Sequence, residues 1–437
     1  MTIREIGRAL RSRETSCVEL VDAVFARVRA GNFNALITET EELARAQAAE
    51  RDSELRAGHD RGPLHGIPTA HKDIFYTKGI RTTGGSLVFR DFVPDRDATA
   101  VAALNEAGAI CIGKANLHEL AYGITSKNPH YGFVLNPRDT ARVAGGSSGG
   151  SAALVAAECV PFSLGTDTAG SIRIPASFCG VVGLKPTYDR VSRHGVLPLA
   201  FSLDHVGPIG SYVEDCALVM NAIAEGEFWL GAADDLAGVR IGVPRSYFFD
   251  STTAEVAGAV RSAVAKMERA RAAVVEVDTP DMDVAYRAAR MVQMPETAAI
   301  DAHYADPSLF GSDVWALIQQ GKLIAGHEYV NAQRLRTVFR REMDALWKQV
   351  DVLVTPTTPV AAPLLEQDTV ETHGEKKELR AAVTSLARPI NFFGEPAMSL
   401  PCGKTAGGLP IGMQLIAAPF EDAKLLQIAS TVERLLA

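Results

Sequence analysis

Two glycine-flanked serines, 24 residues apart, bracket the least charged part of this chain and leave few folds open to it. The first lies in Gly145-Gly146-Ser147-Ser148-Gly149-Gly150-Ser151. The second lies in Asp167-Thr168-Ala169-Gly170-Ser171-Ile172-Arg173-Ile174-Pro175-Ala176. From Ser151 to Leu164 the single charged residue is Glu158, so this connecting segment belongs inside the molecule. Glycine admits φ > 0 and the close approach of another group. Successive N–H groups in such turns cradle negative charge, and a serine at the end of that cradle has the oxyanion donors that acyl transfer needs. The pattern reads as a reaction site rather than a linker.

The flanking sequence supplies the scaffold. Between Leu64 and Ala200, short apolar runs (Ala109 to Ile112, Val160 to Leu164) alternate with helical segments (Thr99 to Ala107, Ser151 to Ala157). That alternation predicts strands buried in a sheet covered by helices. The first 57 residues read as helical, with capping boxes at Thr2/Glu5 and Ser16/Glu19. From about Ala224 to Leu346 the chain is richer in charge and alanine, which predicts surface helices (Val256 to Arg271, Tyr329 to Trp347) laid over the core. Asp351 to Pro356 reads as a buried strand, Gln367 to Lys377 as a charged loop, Pro410 to Ile416 as a last strand and Ala423 to Leu436 as a closing helix. No long Pro/Ser-rich or single-sign linker interrupts the 437 residues, so the expectation is one large α/β/α domain over residues 1–437, against the length prior of two or three.

A net charge of −8 argues against a general nucleic-acid binder. The six cysteines are scattered without a CxxC pair and read as reduced, buried thiols. No leader-like segment opens the sequence, and no apolar stretch nears the roughly 18 residues of a membrane span. The expectation is a cytoplasmic protein with a small-molecule amide partner, no direct nucleic-acid partner and no membrane, with a homodimer as one option for its assembly.

A serine hydroxyl is a weak nucleophile until a base lies within hydrogen-bond reach. His65 and His71 stand in Leu64-His65-Gly66-Ile67-Pro68-Thr69-Ala70-His71-Lys72-Asp73-Ile74, where a histidine more often serves the core. Lys72 sits between an apolar strand and Ile74-Phe75-Tyr76; burial there lowers a lysine pKa, as a lysine base requires. The plainer reading is a strand-end lysine paired with Asp73, and the local residues favour it. Gly108 to Ala115 begins like a phosphate-binding loop, but Ala115 replaces the required Ser/Thr and the interior is an apolar strand. No HExxH or paired Cys/His spacing calls for a metal or other cofactor.

Gly145 to Ala153 and Asp167 to Ala176 closely resemble the amidase signature family of serine hydrolases. So do Gly66-Ile67-Pro68 through Lys72-Asp73, Gly113 to Glu119, Cys179 to Thr187, Ser202 to Pro208, Thr355-Pro356-Thr357 and Gly408 to Gly412. The resemblance runs from about residue 3 to the C-terminus and is weakest between 225 and 345. It implies an α/β/α fold around a mixed sheet, with core segments at about 60–220 and 350–437, and a cofactor-free amidase. Ser171 would be the nucleophile, Ser147 (on a cis peptide bond) the proton relay and Lys72 the neutral base, giving an acyl-enzyme. N–H groups of Thr168, Ala169, Gly170 and Ser171 would form the oxyanion hole, Ala121, Tyr122 and Gly123 would line the pocket, and Ser148, Ser151, Asp167 and Arg173 would support the loops. Apolar residues (Tyr122, Ile124, Ile172, Ile174, Phe392, Phe393) suggest an apolar or aryl acyl group.

Ala169 stands where many members carry glycine, and alanine resists φ > 0, which predicts a slightly altered oxyanion backbone. The resemblance leaves two other readings beside a free-standing amidase: the glutaminase subunit of a tRNA-dependent amidotransferase, and an allophanate or carboxybiuret-type hydrolase. A binding module that has lost activity is a further reading, opposed by Lys72, Ser147 and Ser171 standing together.

Overall fold

The computed structural model describes residues 1–301, 304 and 306–437. Its centre is a mixed sheet of eleven strands: β1 (Leu36–Glu39), β2 (Pro68–Lys72), β3 (Ile110–Ala115), β4 (Phe162–Asp167), β5 (Val182–Lys185), β6 (His205–Gly210), β7 (Arg240–Pro244), β8 (Ala273–Val277), β9 (Val352–Pro356), β10 (Ala397–Lys404) and β11 (Pro410–Ala417). They lie in the order β1-β3-β2-β4-β6-β5-β10-β11-β9-β7-β8. β3, β2 and β4 run parallel, as do β9, β7 and β8, and the pairings between these groups are antiparallel.

The parallel strands β2, β3 and β4 are buried along their whole length, without an exposed residue, as strands covered by helices on both faces must be. The segment from Ser151 to Leu164, read as buried from its lack of charge, is the helix Gly149–Ala156 leading into β4, and every residue of that helix is buried. Both N-terminal capping boxes form: Thr2 and Glu5 close one helix start, Ser16 and Glu19 the next. Each satisfies two free N–H groups at the helix N-terminus.

Three expectations are corrected. The first 57 residues are not all helical, because Leu36–Glu39 pairs with β3 at the sheet edge. The stretch from 224 to 346 is more than a helical cover. β7 and β8 extend the sheet there, and β9, more than a hundred residues later, pairs parallel to β7. Gln367 to Lys377 holds a hairpin, Thr369–Thr372 with Glu375–Glu378, rather than an unpaired loop.

Candidate active site

β2 and β4 are parallel neighbours, so their C-terminal ends deliver side chains to the same place. Lys72 ends β2. Its ammonium nitrogen lies 2.7 Å from Ser147 Oγ and 2.8 Å from Thr166 Oγ1, and the whole side chain is buried. Successive strand residues point to opposite faces, so Asp73 turns away. It takes Thr83 as hydrogen-bond donor and lies 3.5 Å from Lys114. The Lys72–Asp73 pair expected from local sequence does not form.

Burial pushes the Lys72 pKa down to about 7, with Asp204 and then Asp167 opposing from a distance. Among the described residues, no carboxylate lies within ion-pair distance of its Nζ. The histidines stand elsewhere. His65 Nδ1 accepts from the Arg61 amide, with its other nitrogen on the Arg51 carbonyl. His71 is fully buried with no hydrogen bond to either ring nitrogen, and burial lowers its pKa to about 3.

The Gly146–Ser147 peptide is cis. A side chain at Gly146 would meet the backbone of Ile124 to Ser126 at 2.9–3.0 Å, so only glycine fits there. The Ser148 amide donates to the Ser171 carbonyl at 3.2 Å, which ties the two serine loops together. Ser148 Oγ donates to the Thr166 carbonyl and accepts from the Thr166 amide. Ser151 Oγ donates to the Leu164 carbonyl. Ser171 is 5% exposed at the start of the helix Arg173–Cys179.

Asp167 organises the second loop. Its Oδ1 accepts from the Gly170 amide at 2.7 Å and its Oδ2 from the Ile172 amide at 3.2 Å. Arg173 reaches both oxygens, at 3.0 and 3.1 Å. Burial pushes the Asp167 carboxyl up, but the charge and hydrogen bonds of Arg173 outweigh it and hold it well below the usual range. Arg173 also donates to Asn391, Gln414 and the Ala387 carbonyl, and Asn391 donates to Asp167. Every arm of this buried ion pair is satisfied, the condition under which burying charge is tolerable.

This geometry corrects two expectations for the oxyanion loop. The positive φ falls on Gly170, at 108°, and Ala169 is absent from the left-handed residues, so alanine at 169 introduces no backbone strain. The Gly170 N–H is held by Asp167 and is not available to a substrate oxygen. A side chain at Gly170 would come within 2.7 Å of Ala387 Cβ and of Ile174.

Thr166, whose hydroxyl meets Lys72, also lines a cavity of about 250 Å³ together with Ala121, Leu199 and Asp204. Leu120 and Ala121 both adopt left-handed backbone. Gly123 packs under His118 so closely that a side chain would overlap the imidazole. Tyr122 faces a second cavity. The apolar acyl pocket is not assembled from the residues expected: Ile172, Ile174, Phe392 and Phe393 are core side chains, at most 2% exposed.

Sequence reasoning missed Thr166, Asp204 and Asn391. Asp204 accepts from Thr168 Oγ1 at 2.6 Å and from the amides of Leu199 and Ala200, and burial raises its pKa to about 6. The alternation of β4 puts Thr166 on the face of Leu164, a signal that was present in the sequence. Nothing local marks Asn391, which reaches Asp167 across 224 positions.

Among the described residues, no three of His, Cys, Asp or Glu are grouped to hold a metal ion. None of their helices is long and apolar enough to cross a membrane.

A family model described as Amidase matches residues 19–426. A curated relative from Moorella thermoacetica, named as a component of Glutamyl-tRNA(Gln) amidotransferase, is 40% identical over 99% of this chain and 96% of its own. A solved structure described as an amidase is 37% identical over the full length of both chains, with a TM-score of 0.95. Another, from a vestigial protein complex bearing on the origins of an s-triazine catabolic enzyme, is 36% identical over 99% of this chain and 98% of its own, with a TM-score of 0.93. The relatives named for tRNA overturn the expectation that no nucleic acid has a place among the partners. A net charge of −8 bears on broad surface binding of nucleic acid and does not exclude a place in a tRNA-dependent assembly. With the match covering nearly all of the sequence, the chain belongs to the Amidase family and is an amidohydrolase acting on C–N amide bonds.

Proposed function

We propose that this chain cleaves a linear carboxamide through an acyl-enzyme on Ser171, with Ser147 as proton relay and Lys72 as base. The contact of 2.7 Å between Lys72 Nζ and Ser147 Oγ, buried and, among the described residues, without a carboxylate at ion-pair distance, carries the reading. A lysine near pKa 7 is neutral in a useful fraction of molecules at neutral pH. Its free amine accepts the Ser147 proton as Ser147 takes that of Ser171, whose oxygen attacks the carbonyl. Amides of Thr168, Ala169 and Ser171 are the candidates for the oxyanion. Protons return along the same path to the leaving nitrogen, and water then releases the acid.

The relatives favour the setting of a glutaminase component in an assembly like Glutamyl-tRNA(Gln) amidotransferase, which would take the ammonia from glutamine. The free-standing amidase is the second reading, supported by the solved amidase that matches end to end. Intact mass after a fluorophosphonate tests the nucleophile: one adduct on the wild type and none on Ser171→Ala is expected, and an adduct on both removes Ser171. Ammonia release from glutamine and from simple amides by the purified chain then separates the settings. Turnover of simple amides by the chain alone supports the free-standing enzyme.

A further inference from the structure

Three arginines converge on the cavity that Tyr122 faces. Arg290, Arg380 and Arg388 line it with Tyr122, Tyr286 and Gln293, around a volume of about 290 Å³. Arg388 is 5% exposed and the other two are half-buried. Among the described residues, none of the three guanidinium groups lies within ion-pair distance of a carboxylate. Arg380 stacks over the Tyr122 ring at 4.8 Å and donates to the Tyr122 carbonyl. Arg388 sits over Tyr286 at 5.3 Å and donates to Gln293, but its Nε has no hydrogen-bond partner.

The two carboxylates that also reach the lining are occupied. Asp313 takes His118 at 3.0 Å, and Glu378 caps the helix Leu379–Ser385 through two amides. The three guanidinium groups outnumber the two carboxylates of the lining, whose charges reach Arg380 from beyond ion-pair distance, and burial lowers the pKa of Arg388 to about 10. An isolated buried charge is costly unless something pairs with it. The cavity therefore has the electrostatics of an anion site.

It also adjoins the reaction centre. Ala387, which precedes Arg388, packs against Gly170 and accepts from Arg173. Tyr122 follows Ala121 of the cavity that Thr166 lines. We infer that Arg290, Arg380 and Arg388 hold a carboxylate at the far end of the amide substrate, so that the enzyme selects acidic amides over neutral ones. This inference rests on Ser171 as nucleophile but adds the charge of the substrate.

The test is protection of Ser171 from a fluorophosphonate by unreactive dicarboxylates, malonate through adipate, with butyramide as the neutral control. Labelling does not depend on turnover, so failure to label at all speaks against Ser171, whereas labelling without protection speaks against the arginine site. The wild type is expected to label at least fivefold more slowly with the best-fitting dicarboxylate. Arg388→Gln and Arg290→Gln, each compared with itself without ligand, are expected to change less than twofold. Arg290 is half-buried and serves if Arg388→Gln does not fold. Equal protection by butyramide, or full protection retained in both variants, overturns the inference.

Discussion

Lys72 and Arg173 are both fully buried cations within one strand-end region of the sheet, and they could hardly be treated more differently by their surroundings. Arg173 meets a carboxylate through two nitrogens and hands its remaining donors to two amide side chains and a carbonyl. Lys72 meets two hydroxyls. A cation with a counterion keeps its proton and holds a loop. A cation without one is pushed towards neutrality, as a base requires. The contrast teaches that the same interior builds scaffold or reagent according to where it places one carboxylate.

The sharpest way to break that contrast is to remove the reagent. Lys72→Met is expected to lower kcat/KM by a factor on the order of 10⁴, as loss of a catalytic unit member does, while leaving the melting curve close to the wild type. A large loss of stability instead would make Lys72 a structural residue.

Next comes the scaffold. Arg173→Met leaves Asp167 buried and unpaired, which is expected to destabilise the fold by about 3–5 kcal/mol, read by chemical denaturation. A cost below about 1 kcal/mol, the scale of a single ordinary hydrogen bond, would show that Asn391 and the loop amides suffice for Asp167.

A smaller effect tests the hydroxyl partner. Thr166→Val removes one hydrogen bond to Lys72, and a loss of about tenfold in kcat/KM corresponds to about 1.4 kcal/mol, the scale of a hydrogen bond to a charged group. An unchanged rate removes Thr166 from the base's surroundings.

The smallest concerns pH. The folded Lys72 pKa is depressed to about 7, so the amine loses its proton as pH rises through that value and kcat/KM should climb with it. Asp204 favours the charged lysine, so Asp204→Asn should move the midpoint to lower pH. A rate that falls as pH rises through about 7, or a midpoint moving upward, contradicts the assignment.

Much of this was legible in the chain. Uncharged runs such as Val160 to Leu164 marked the central strands, because parallel strands covered on both faces leave no room for polar residues. β7 and β8 escaped notice because they approach and form the sheet edge. Val275 is 41% exposed there, so the pattern is mixed and the charges resemble those of a surface helix. At the candidate site, the glycine-flanked loops drew attention to Ser147 and Ser171, and their roles came only with the resemblance. Local residues could not decide between Lys72 as base and Lys72 as partner of Asp73, and only the resemblance favoured the base. The period-two alternation of β2 decides against the pair once the strand is known. Asn391 and the three arginines were out of reach, since their juxtaposition with residues far along the chain is a property of topology rather than of any window.

The proposed reacting groups, Lys72 and Ser171, end β2 and follow β4, whereas Arg290 rides on the helix Met282–Asp301 and Arg380 and Arg388 on two short helices after β9. Strand ends locked in a sheet resist drift, but helices packed over it can be rewritten a residue at a time. A lineage could in this way trade one acid for another while inheriting its bond-cleaving apparatus intact.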